Sequence, residues 1–562
     1  MNESLSASSR RAAIALAGAL LLSAAALAAS PAPPTVADLA ARAAAIRTPT
    51  FAPREIADAA AGWRQLLADL RRIDPKPLGA DDRIDLRLLR EHAEIKLFEI
   101  EELKLHELTP FRYFALGATD DLLLRPCSAG GDAIRAAIEE LGRLPAVLAN
   151  AKKNLKRPAR IWTENGIYTG WYARKLLAEE LPAACLGAEE LRPELLAAAK
   201  PALAAVEDFN LFLEQELLPR SDRSPAWKPE QIERYQLVQE QLPPDLGRND
   251  AMLEIAAAEE KKLMAEMEAL AKRIHPSGDL RLVWKQMQAD APPWEEVLPM
   301  ARWYVAHAAK WLEEDGRHVL GIPDRFDYGV VPTTPMGRRI LAFGGASYGP
   351  TIAGRISGYY VISPLEERLT AEEKASRLLA FNPYWTHVIS YHEWVGHNVQ
   401  RAWAQRAPAR PVRQLVQSAY LSQAWSFYLE GLFEQEGYYD TLPYLEALKT
   451  SMARRQLRMW RVQRILTKLR MANGTMTFEE AVQAYVDKIG MERGNAFIEV
   501  QRDSQTPFSP GREIIGEAMI IRMREQYLRR LGGHGTMRGF HEDLLSQGEL
   551  PLPAIQQILL GD

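Results

Sequence analysis

The chain has 562 residues, 47% hydrophobic and 25% charged, which is enough apolar material for a large core beneath an ordinary charged surface. A net charge of −4 and a pI near 6.3 argue against nucleic acid as a partner. Two cysteines, Cys127 and Cys185, are too few for a disulfide framework, and the expectation is two unpaired buried thiols.

The N-terminus reads as a cleaved secretory signal. Arg10 and Arg11 precede an apolar run from Ala12 to Ala29, and Ala26-Leu27-Ala28 offers small residues where a signal peptidase reads. Residues 1–28 are therefore assigned to a signal peptide and 29–34 to a Pro/Ala-rich linker. No other stretch is apolar enough to span a membrane. The mature protein is expected in the periplasm or outside the cell, without stable membrane association.

From 35 to 320 the apolar spacing predicts a helical N-terminal region. Its helices are expected over Glu55–Ile73, Asp82–Leu108, Asp132–Leu155, Glu194–Leu218, Asp250–Ile274 and Trp294–Glu314. Near Gly321 the texture changes, as Gly, Pro, Tyr and Thr become dense through Ser363. Arg338–Ala342 and Ser357–Ser363 have the β-branched and aromatic content of short strands. Helices return at Leu365–Leu379, Pro383–Arg406, Val412–Gly437 and Leu442–Met471. The fold class is mostly α, a large multi-helix body with a small sheet just before the stretch that carries the chemistry. Residues 321–562 form the catalytic region, within one continuous globular body.

That stretch is HEWVGH, His392 to His397. A His-Glu pair followed by a second His is the signature of a zinc hydrolase helix. The two histidines here are five residues apart. On a regular α-helix a four-residue step leaves side chains ~40° apart and a five-residue step ~140° apart. A π-bulge would restore a common face, and Gly396 is the expected place for it. His392 and His397 are candidate metal ligands and Glu393 the candidate general base. A third ligand is expected from the next helix, where Gln423 and Glu430 share a face two turns apart. His387, one turn earlier, reads as a packed or supporting imidazole. One zinc ion is the expected cofactor and a small peptide the expected substrate, held in extended form by a strand edge near Gly358–Val361.

Four stretches resemble the bacterial domain-of-unknown-function 885 family: Ala346–Ser363, YHEWVGHNVQ at Tyr391–Gln400, QAWSFYLEGLFEQEG at Gln423–Gly437, and Pro510–Glu525 with Gly539–Ile555. The N-terminal half matches the family only in being helical. The resemblance implies a zinc-metallopeptidase-like fold, similar in architecture to thimet oligopeptidases. Against the family motif HExxPGHHxQ, the sequence lacks the Pro and has Asn398 for a second His. The shortened HExxGH form resembles the dipeptidyl peptidase III motif. Gln423 stands where the family has the Glu expected as third ligand. Glu513 stands where it has a Tyr suited to stabilising an oxyanion. Arg524 matches the family's Arg on this helix, and two readings are open for it: a catalytic role toward a substrate carboxylate, or a surface ion pair. The function expected is an exported zinc-dependent peptidase that hydrolyses small peptides by metal-activated water. The alternative is a degenerate relative that binds a ligand without turnover.

Overall fold

The structure, a computed structural model, describes residues 34–561 apart from 125, 126, 128, 129, 325, 339, 340, 342, 353 and 354. The predicted signal peptide, and the linker up to Pro33, lie outside the described residues. The fold is mostly helical, and no described helix is long and apolar enough to cross a membrane.

The N-terminal helices follow the predicted order: Pro53–Arg72, Ala80–Glu101, Gly131–Asn154, Arg192–Phe212, Asn249–Ile274 and Trp294–Glu313. Two buried clusters hold the molecule together. The larger draws on residues from Val36 to Leu560 and so joins both sides of residue 320. The smaller lies within Tyr113–Leu217. Cys127 and Cys185 close a disulfide at the edge of this second cluster, and both are exposed. The expectation of two buried thiols is thus corrected. The backbone N–H of Cys127 also donates to the Cys185 carbonyl, so the two segments are held side by side.

Three strands form the sheet: β1 (Phe326–Pro332), β2 (Gly344–Ile352) and β3 (Arg355–Ile362). Their order is β1-β3-β2, with β1 parallel and β2 antiparallel to β3. The predicted strand at Ser357–Ser363 falls on β3. The one predicted at Arg338–Ala342 does not form as drawn: Pro335–Arg338 is a short helix, and 339, 340 and 342 lie outside the described residues. β3 is central and pairs on both sides, so the stretch Gly358–Val361 has no free edge to offer a substrate. The open edge facing the motif belongs to β2.

Five helices follow that matter for the site. α1 (Pro383–Tyr391) starts on Asn382, whose side chain accepts from the Trp385 N–H at 3.1 Å, with Pro383 in the first turn. It runs directly into a π-helical segment, His392–Val399. The predicted helix Val412–Gly437 is broken. Pro411–Leu415 ends at an extended Val416, and α2 (Ala419–Gln435) starts afresh on Ser418. The break has two causes. The Ser418 hydroxyl caps Tyr420 N–H, and its backbone N–H is taken by the Glu549 carbonyl at 2.7 Å. α3 (Tyr444–Ala472), α4 (Arg493–Ser504) and α5 (Ile514–Leu531) complete the surroundings.

Candidate metal centre

The π segment does what the five-residue step requires. It adds a residue to each turn, and the two imidazoles come to 5.0 Å between ring centroids. His392, Glu393 and His397 each offer a ligand atom within 4.8 Å of the others. Among the described residues this is the one group of three His, Cys, Asp or Glu side chains so placed. Gly396 serves differently from the expectation. Its φ is not positive, so no special backbone freedom is used. What it supplies is space: a Cβ there would meet Ser426 Cβ at 2.5 Å, so only Gly lets α2 lie this close. Gly358 does the same on the other side, where a Cβ would meet Asn398 at 2.7 Å. The π segment is thus clamped between α2 and the sheet.

Both rings are oriented from behind. The Nδ1–H of His392 donates to Glu430 Oε1 at 2.7 Å, and His397 Nδ1 pairs with the Ser422 hydroxyl at 3.0 Å. That leaves the two Nε2 atoms to face the cavity, and His397 Nε2 lies 4.0 Å from the Glu393 carboxylate. Carboxylate-His pairs of this kind fix the tautomer of a metal-binding imidazole. Glu430 therefore sits behind His392 as its orienting partner, outside the ligand group where the sequence had it as a possible third ligand. Gln423 lies on the cavity wall with the two histidines. Arg524 does not. It donates to the Tyr428 hydroxyl at 2.6 Å, which in turn pairs with His541, and it does not line the cavity. His387 is packed against Tyr304, with ring centroids 4.2 Å apart, and bonds Tyr438.

The cavity beside the histidines has a volume of about 510 Å³. Gly344, Gly345 and Ala346 of β2 form one wall, so the open strand edge lies beside Glu393. The Ala346 backbone bonds the Glu393 carboxylate. The other wall is charged. Arg461 and Arg464 come from α3, Glu499, Arg502 and Asp503 from α4, and Arg512 from just before α5. A larger cavity, of about 860 Å³, opens among the N-terminal helices beside Trp63, His92 and Tyr113, away from the histidine cluster.

Burial sets the protonation of the cluster. It pushes Glu393 up to about 7, an effect that the Arg461 charge opposes. It pushes both imidazoles well below their ordinary value, again with Arg461 acting in the same direction, so they are neutral and able to bind a cation. On the charged wall burial alone would raise Glu499, but Arg502 and Arg464 hold it down to about 2.

The arginine wall was not legible from the motifs. Arg461, Arg464 and Lys468 share one face of α3, and in sequence such a stripe reads as a solvated face. All three are buried. The sequence held no signal that singled this face out, because α3 also carries Arg454, Arg455 and Arg458, and composition does not say which charged face turns inward.

A family profile described as bacterial protein of unknown function, DUF885, matches residues 34–559. The chain belongs to this family. The match to DUF885 takes in the helical N-terminal region as well as the C-terminal motifs. Two solved structures share the fold. One is a candidate lipoprotein of unknown function from Shewanella oneidensis, 17% identical, with a TM-score of 0.68 over 93% of this chain and 97% of that one. The other is a candidate lipoprotein from Colwellia psychrerythraea, 16% identical, with a TM-score of 0.70 over 93% and 98%. No curated protein matches this DUF885 chain.

Proposed function

We propose that this chain is an exported zinc-dependent peptidase that hydrolyses small peptides. One observation carries the reading: two neutral imidazoles and a carboxylate converge in a cavity whose wall is an open strand edge. The donor set fits a zinc ion, since two Nε2 atoms are presented by backing partners and Gln423 is at hand on the wall. When bound, zinc would act as a Lewis acid on water and on the peptide carbonyl. Glu393, held near pH 7 by burial, takes the proton from the attacking water and passes it to the departing amine. The free edge of β2 at Gly344–Ala346 aligns the peptide backbone by main-chain pairing. Export is supported by the leader-like N-terminus, the disulfide, and the candidate-lipoprotein relatives.

A second reading has its own observation. Gln423 is neutral where the family has a carboxylate, which favours a relative that binds peptide without turnover. Protein purified without chelator should hold about one zinc per chain. A peptide library should be cleaved, and Glu393→Gln should lower kcat about 10²- to 10⁴-fold while zinc content stays the same. Cleavage that persists in Glu393→Gln removes the assigned base. Failure to bind zinc even when it is supplied removes the peptidase reading altogether.

A further inference from the structure

The charged wall of the cavity is not evenly paired. Arg464 is fully engaged, bonded to Glu513 Oε1 at 2.5 Å and to Glu499 Oε2 at 3.0 Å. Arg502 is spent on Glu499 at 2.7 Å. Asp503 faces Lys468 at 3.2 Å, and Glu549 faces Arg401 at 2.5 Å. Arg461 and Arg512 stand apart from this exchange. The closest carboxylate to Arg461 is Glu430 at 3.8 Å, beyond hydrogen-bond reach; its Oε1 is taken by His392, and its Oε2 is buried without a hydrogen-bond partner among the described residues. The closest to Arg512 is Glu513 at 3.8 Å, whose Oε1 is bound by Arg464 and whose Oε2 has no hydrogen-bond partner among the described residues. The Nε atoms of both arginines are buried and have no hydrogen-bond partner among the described residues. Among the described residues Arg461 otherwise donates to the Leu457 carbonyl of its own helix, at 3.2 Å, and lies over the Trp460 ring, with its side chain 8% exposed.

A buried guanidinium N–H with no acceptor within hydrogen-bond reach is costly, and a carboxylate at 3.8 Å does not satisfy it. Both arginines line the same cavity as His392 and His397. Their fork of N–H donors matches a carboxylate. We propose that Arg461 and Arg512 form a carboxylate-binding subsite, so that an accepted peptide carries a carboxylate close to the bond that is cut. That carboxylate is either the peptide's own C-terminus or an acidic side chain. The identity of the ligand as a peptide rests on the peptidase reading; the two unsatisfied Nε donors do not.

The test is titration calorimetry on the zinc-loaded Glu393→Gln chain, which binds without turning over. Three probes are used: N-acetyl-tetraalanine as the free acid, the same peptide as its C-terminal amide, and the amide of N-acetyl-Ala-Glu-Ala-Ala. The free acid or the glutamate amide should bind about ten- to a hundredfold tighter than the plain amide, as expected for a new charge-assisted pair. Preference for the free acid assigns the subsite to the C-terminus; preference for the glutamate amide assigns it to a side chain. Arg461→Lys and Arg512→Gln should each bring the ratio toward one. Arg512, with its side chain 27% exposed, is the variant that tolerates replacement if the buried Arg461 does not. Equal affinity for all three probes, no binding by any, or an unchanged ratio in Arg512→Gln overturns the proposal. Selective binding with no cleavage by the Glu393-containing chain leaves the subsite standing and removes the peptidase reading. Cleavage of acid and both amides at equal kcat/KM does the reverse.

Discussion

Glu430 is 2% exposed on its side chain and meets the site from behind His392. Its carboxylate fixes which nitrogen of the ring carries the proton and which faces the cavity. Glu430→Gln keeps an acceptor but loses the charge, and zinc affinity should fall about 10- to 100-fold in a competition assay with a chelator. Gln423 makes the opposite prediction. It lines the cavity but brings a neutral oxygen, so Gln423→Glu should tighten zinc binding in the same assay. Unchanged affinity there would mean that residue 423 does not face the ion. The sequence put both residues on one helical face and could go no further. Helical spacing tells which side chains share a face, but not at what depth each meets its neighbour. Gln423 lies one turn into α2 and reaches the cavity, whereas Glu430, two turns on, meets the back of a ring.

The start of α2 governs how these two residues are presented, and it depends on a buried acid. Ser418 caps the helix, and its hydroxyl donates to Glu240, which burial pushes up to about 7. The ordinary value for this carboxyl is 4.5. Between pH 4.5 and 7 the folded protein therefore keeps a proton that the unfolded chain releases, and stability falls as pH rises across that window. Below 4.5 both states hold the proton and nothing is lost. The full cost above pH 7 is about 3 kcal/mol, from ~1.4 kcal/mol per unit of pKa. Glu240→Gln stays neutral throughout. In urea unfolding it should gain on the parent chain at pH 8 and not at pH 4, and an equal difference at the two pH values would refute the assignment. The π segment is the other element that matters here. Its existence followed from the sequence, because a five-residue step from His392 to His397 does not put both rings on one face of a 3.6-residue turn. Its extent over His392–Val399, and the packing reason for Gly396, came from the neighbouring helix.

The molecule as a whole is held by one core that crosses the predicted boundary at residue 320 and by a smaller core within Tyr113–Leu217. The disulfide spans 58 residues of that smaller unit. Cross-linking a loop of this length constrains the unfolded chain by roughly 2–4 kcal/mol. Denaturant unfolding with and without reductant should show a loss of that size. Cys127→Ser/Cys185→Ser should match the reduced protein, and identical curves in oxidised and reduced samples would show that the bond does not stabilise this unit.

Local pattern was enough for the helical class, for the order of the long helices, and for the pairing of His392 and His397 across a bulged turn. Each of these depends on residues within a few turns of one another, where spacing alone sets direction. Tertiary structure decided the rest. β3, which has the stronger strand composition, is central, so the open edge beside Glu393 belongs to β2. Cys127 and Cys185 met because their segments run side by side. Arg461 on α3 and Arg512 in the turn before α5, with neither carrying a motif, reached one cavity wall with a buried Nε each that has no hydrogen-bond partner among the described residues. Nothing local records such meetings, because they depend on how distant segments pack.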